Sequence, residues 1–140
     1  AATSPDRADA FALAQGFGIL YTTAERDALL LLRTGPDGDP IGVPTRIREA
    51  DNGVVIASAR GVGLSAGAGV VWVEDERVWY RLAGPSLGDA VVLRTAPSLE
   101  TGIAVVALSN QEFAVAVIDT HTAAVWVGRF NALGLPLCQR

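Results

Sequence analysis

Lysine and methionine are absent from the 140 residues, and cysteine and histidine occur once each. Each gap excludes something. Without lysine there is no phosphate-cradling P-loop. The eleven basic residues are all Arg and are scattered among fifteen acidic ones, for a net charge of -4. Nucleic acid and anionic membranes are recognised by clustered positive charge, so neither is expected as a partner. A zinc site needs about four ligands at defined spacing, and His121 with no cysteine pair cannot supply them. His121 reads as a solvated loop residue, and no metal or cofactor is expected. The lone Cys138 cannot close an internal disulfide. It is either a small buried hydrophobe near the end of a last strand or the site of a bridge to another chain. No apolar run reaches the ~18 residues of a membrane helix. The first residue is not Met, and Ala1-Ala2-Thr3-Ser4-Pro5 resembles the downstream side of a signal-peptidase cut or an internal processing boundary. Export is the expectation drawn from it: secreted, periplasmic or cell-surface.

What is present is apolar residues and turns. Half the chain is hydrophobic, 19% is charged, and fifteen Gly and seven Pro interrupt it. Mean hydropathy is +0.33. These values fit one globular domain and exclude disorder, collagen and coiled coil.

The chain repeats itself. Leu29-Leu30-Leu31-Leu32-Arg33, Val78-Trp79-Tyr80-Arg81 and Val125-Trp126-Val127-Gly128-Arg129 each end an apolar run on Arg, and the intervals from 33 to 81 and from 81 to 129 are both 48 residues. An apolar run lies ahead of each: Phe17 to Tyr21, Gly69 to Val73 and Phe113 to Ile118. Polar tips join the two runs at Ala24 to Asp27, Glu74-Asp75-Glu76 and Asp119 to Thr122, as in a β-hairpin. A further run precedes each hairpin, at Phe11 to Ala14, Gly53 to Ser58 and Gly102 to Leu108. A weaker one follows, at Ile41 to Ile47, Ala90 to Arg94 and Leu135 to Cys138. The closest local match is Ala12 to Phe17 with Ala107 to Phe113. The chain thus reads as one domain, 1–140, of three repeats at about 8–48, 53–94 and 102–140, with about twelve short strands. Ser4 to Ala14 is the only helix-like stretch, and its second half matches strand in the other copies.

Three four-stranded antiparallel units suit an all-β fold of propeller-blade type, with a β-trefoil as the alternative. Blades stack on one another, so their middle strands are buried on both faces and read as unbroken apolar runs. Ala28 to Leu32, Val70 to Val73, Ile103 to Leu108 and Ala114 to Ile118 are such runs. At the 48-residue spacing, Trp79 and Trp126 fall on opposite faces of the Arg-bearing strand.

Phe113 to Val117, the polar tip, and Val125-Trp126-Val127-Gly128-Arg129-Phe130-Asn131-Ala132-Leu133-Gly134-Leu135-Pro136-Leu137 together resemble the degenerate propeller-type repeats of large secreted bacterial proteins. The third copy carries the resemblance best, the second partly, and the first departs from it at Thr34 and Gly35. It implies adhesion, surface display or scaffolding, and no particular reaction.

Propellers close with about four to eight blades, so three leave two sheet faces bare. A face of on the order of 300 Å² left wet forfeits roughly 7 kcal/mol, comparable with the whole stability of a small domain. Completion by another chain is therefore expected, either a second copy or a second fragment of the same precursor. A trefoil would close alone.

Catalytic chemistry is not legible. Asp37-Gly38-Asp39 lacks the oxygen ladder of a calcium loop. Gly61-Val62-Gly63-Leu64-Ser65-Ala66-Gly67 has the wrong spacing for a dinucleotide fingerprint and reads as a flexible connection. Glu74, Asp75 and Glu76 read as a solvated acidic turn. Ser109, His121 and Asp119 can be written as a triad with nothing to position them. The candidate binding residues are Arg33, Arg81 and Arg129, as an anion-binding ring, and Trp79 and Trp126, as platforms for a glycan. The expected function is a non-enzymatic interaction or surface-structural module. A lectin-like binder comes second, and a hydrolase fragment completed by another chain third.

Overall fold

The computed structural model describes residues 5–51, 53–95, 102–119 and 123–137. It is all-β. The first sheet comprises β1 (Pro5–Leu13), β2 (Gly16–Thr23), β3 (Ala28–Thr34) and β4 (Pro40–Glu49). The second comprises β5 (Ser58–Leu64), β6 (Gly67–Glu74), β7 (Arg77–Ala83) and β8 (Val91–Thr95). The third comprises β9 (Gly102–Ala107), β10 (Glu112–Asp119) and β11 (Ala124–Asn131). Each sheet is an antiparallel meander in which every strand pairs with its sequence neighbour.

The sheets pack face to face in chain order. Leu20, Leu29, Leu31 and Ile47 of the first sheet meet Ala68, Val70, Trp72 and Ala83 of the second. On its other face the second sheet presents Val62, Val71, Val73, Val78 and Tyr80 to Ile103, Phe113, Val115, Val117 and Phe130 of the third. Each sheet thus has a leading face toward the next sheet and a trailing face toward the one before. The opening strands β1, β5 and β9 lie side by side, β1 against β5 and β5 against β9.

Small residues on β5 make that proximity possible. A Cβ on Gly61 would collide with the Phe11 ring, and one on Gly63 with the Ala12 carbonyl. The glycine-rich segment is therefore strand and hairpin, not a flexible connection: Leu64 pairs with Gly67 at the turn into β6. The preceding run, Gly53 to Ser58, contributes only Ser58 to the strand. Its Ile56 and Ala57 are buried instead, and Ile56 N–H donates to the Arg26 carbonyl at 2.8 Å.

The N-terminal stretch is strand from Pro5 onward, with no helical turn. Its alternation fits β1, whose Phe11 and Leu13 pack inward while Ala8, Ala10 and Ala12 face out. The fourth run of the third repeat makes an isolated bridge, Phe130 with Pro136, and no strand among the described residues. Proline has no N–H to extend a ladder. Eleven strands are therefore described, in sheets of 4, 4 and 3.

The register defines which residues correspond. Phe17 pairs with Thr34, Ala68 with Ala83, and Phe113 with Phe130. Phe17 and Phe113 are thus equivalent, as are Ala12 and Ala107, in agreement with the closest sequence match. One step along, Gly18 pairs with Arg33, Gly69 with Leu82, and Ala114 with Arg129. Arg33 and Arg129 correspond to each other and to Leu82. Arg81 is one position out of step, and a one-residue step moves a side chain to the opposite face.

Candidate functional site

The joint between the first two sheets holds the charged residues. Glu74 is buried although it opens the acidic tip. It accepts from Arg48 Nε at 2.9 Å and Nη2 at 2.7 Å, and from Trp72 Nε1 at 2.9 Å. Its backbone carbonyl accepts from Trp79 Nε1 at 3.2 Å. Only Asp75 and Glu76 form the turn, both with positive φ, as a two-residue hairpin requires. The expectation of a solvated Glu74 thus fails, because an apolar joint with two donors nearby offers the carboxylate better partners than water does. The same bonds push the Arg48 pKa up.

Arg33 and Arg81 serve this joint from opposite sides. Arg33 Nη2 donates to the Ala83 carbonyl at 2.9 Å and Nη1 to Thr45 Oγ1 at 3.1 Å. Arg81 Nη1 donates to the Ile47 carbonyl at 2.8 Å, and its Nε to the Gly88 carbonyl at 2.6 Å. Each thus donates to a backbone carbonyl of the opposite sheet. Arg129 instead lies on the leading face of the third sheet, half exposed, 3.3 Å from Glu112 of the same sheet. The structure does not gather the three arginines. They sit on β3, β7 and β11, the third strands, away from the adjoining β1, β5 and β9.

Trp79 and Trp126 share an orientation, contrary to the 48-residue alignment. Each packs on its trailing face. Trp79 stacks with Trp72, ring centroids 6.4 Å apart, in the first joint. Trp126 packs in the second joint beside Phe130, with the Arg94 guanidinium 4.6 Å above its ring. Four residues separate the last pair of the β10–β11 hairpin, Asp119 with Ala124, and two that of β6–β7, Glu74 with Arg77, so constant spacing in sequence is not constant position in the sheet. Both rings are engaged in packing. Cys138 and His121 lie outside the described residues. Among the described residues, no three His, Cys, Asp or Glu side chains come together.

A cleft of about 330 Å³ opens where β1, β2 and β5 diverge. It is lined by Asp9, Tyr21, Thr22, Ser58 and Arg60 among others. Thr22 Oγ1 is buried there without a hydrogen-bond partner, and Asp9 Oδ2 accepts from Gly61 N–H at 3.1 Å. Sequence reasoning missed this cleft, because no local pattern marks where strands from two sheets part.

Among the described residues, the two outer sheet faces have no sheet packed against them. The leading face of the third sheet carries Ala104, Val106, Ala114, Ala116, Ile118, Val125 and Val127. Val106 is 58% exposed, Val125 64% and Val127 55%. The trailing face of the first carries Ala8, Ala10, Ala12, Phe17, Ile19, Tyr21, Leu30 and Leu32, all exposed or half-buried. Monomeric proteins seldom expose apolar patches on the scale of a whole sheet face, and those that do use them to bind. In comparisons with known proteins, no family, no curated protein and no solved structure matches the chain.

Proposed function

We propose that the chain is a non-enzymatic interaction module. Its three meanders act as blades of a propeller-type ring that further sheets from other chains complete. The observation that carries this reading is the pair of bare apolar faces at the two ends of the stack. Support for blades over a trefoil comes from the second sheet, which is covered on both faces, and from the side-by-side opening strands. The resemblance to repeats of secreted bacterial proteins favours a surface or extracellular setting. A lectin-like role is not adopted, since Trp72 and Tyr80 are buried and Trp79 and Trp126 are held in the joints.

Sedimentation velocity of the full chain tests the reading. The expected species is heavier than 14.6 kDa or, where the chain alone stays at that mass, binds an apolar dye such as ANS strongly. A 14.6 kDa particle indifferent to the dye contradicts it.

A further inference from the structure

We propose that the missing cover is a second copy of this chain, docked head to tail, so that the leading face of the third sheet of each copy seats on the trailing face of the first sheet of the other. The inference rests on the reading above and names the partner.

The two bare faces repeat the two faces that already fit together inside the chain. In the first joint, the leading face of the first sheet drives Phe11 against Gly61 on the trailing face of the second. By register, Val106 of the third sheet stands where Phe11 stands, since Phe11 pairs with Gly18 and Val106 with Ala114. Ala10 stands where Gly61 stands, since Ala10 pairs with Ile19 and Gly61 with Val70. A smaller knob thus faces a shallower hole, and the combined volume stays close to that of the existing pair.

The polar match is of the same kind. Arg33 crosses the first joint to the Ala83 carbonyl at 2.9 Å. Arg129 occupies the position of Arg33, and Thr34 that of Ala83. A docked copy therefore brings the Arg129 guanidinium to the Thr34 carbonyl of its neighbour. The two carbonyls have the same local setting: a Cβ on Gly16 would meet the Thr34 oxygen, and one on Gly67 the Ala83 oxygen.

Number and area agree. Copies contribute sheets in threes, and among multiples of three only six lies within the four to eight blades of closed propellers. Two joints, each covering two faces of about 300 Å², remove about 1,200 Å² from water, at the lower bound of a stable interface.

The test is light scattering on the full chain and on two variants, Ala10→Asp and Val106→Asp. Each places a carboxylate on the opening strand of one bare face, β1 or β9, and leaves the internal joints untouched; circular dichroism confirms that each folds. The expected mass of the parent is about 29 kDa, twice the 14.6 kDa of one chain. Each variant alone is expected to dissociate, with its dissociation constant raised at least about 30-fold. An equimolar mixture is expected to recover a dimer, because one intact leading face then meets one intact trailing face. A parent that stays at 14.6 kDa while binding ANS overturns the second copy but leaves the interaction module standing. A filament of indefinite mass overturns the closed two-copy ring, since head-to-tail contacts that do not close grow without limit. A dimer that Val106→Asp breaks, Ala10→Asp spares and mixing fails to restore overturns the head-to-tail arrangement in favour of like faces meeting.

Discussion

Strands β6 and β10 are both eight residues long, both second in their sheets, and both read as unbroken apolar runs. Their surroundings differ. Every residue of β6 from Ala68 to Glu74 is buried, because a sheet lies on each face. In β10, Phe113, Val115 and Val117 are buried while Ile118 is 42% exposed. The same kind of sequence is thus satisfied in the middle of the stack and unsatisfied at its end. That contrast is what supports the proposed docking partner.

Charge in the two settings should separate them most widely. Val71→Asp puts a carboxylate between the second and third sheets, where no partner awaits it. It is expected to cost at least about 4 kcal/mol and leave no cooperative unfolding transition. Val127→Asp, on the bare face of the third sheet, is expected to leave the chain folded by far-UV circular dichroism. If both variants unfold, the bare face is integral to the folded monomer and the contrast disappears.

Ion pairs sharpen the comparison at smaller scale. Glu74→Ala strands Arg48 and the Trp72 indole N–H inside a joint, with an expected loss of about 3 kcal/mol in urea unfolding. Glu112→Ala removes the Arg129 partner on the open face, where both side chains are half exposed, and is expected to change stability by less than about 0.5 kcal/mol. Equal losses would mean that burial does not distinguish the two sites.

Tyr80 gives an effect that pH controls. Burial pushes its phenol above the ordinary value near 10, and its O–H donates to the Ala132 carbonyl at 2.7 Å. The folded chain therefore keeps the proton that the unfolded chain releases. Stability is unaffected below pH 10 and falls as pH rises beyond it, by at most roughly 1.4 kcal/mol per pH unit. Denaturant midpoints from pH 9 to 11 are expected to show this decline in the parent and less of it in Tyr80→Phe. An identical decline in both would remove Tyr80 from the account.

Much of the fold was legible because strand period and hairpin tips are local. The all-β class, three antiparallel sheets and the third repeat's hairpin follow from apolar runs and turns. Proximity between sheets was not legible. Gly61 and Gly63 look like a connector until Phe11 and Ala12, some fifty residues earlier, explain why nothing larger fits. Glu74 looks solvated until Arg48, distant in sequence, closes on it. The 48-residue arginine period misled for a related reason: tips of unequal length shift the register, so Arg81 faces the first sheet while the second-sheet counterpart of Arg33 and Arg129 is Leu82. Of the candidate residues, Arg33, Arg81, Trp79 and Trp126 proved to belong to the internal joints, and Arg129 alone lies on an open face.

The central claim is that the end faces are covered from outside while the middle sheet is covered from within. Hydroxyl-radical footprinting of the full chain at high and at very low concentration tests it directly. The account predicts that Phe17, Tyr21 and Val127 gain reactivity on dilution, while Trp72, Val71 and Tyr80 stay protected at both concentrations. End-face residues that react equally at both, at the rate of free side chains, would contradict it.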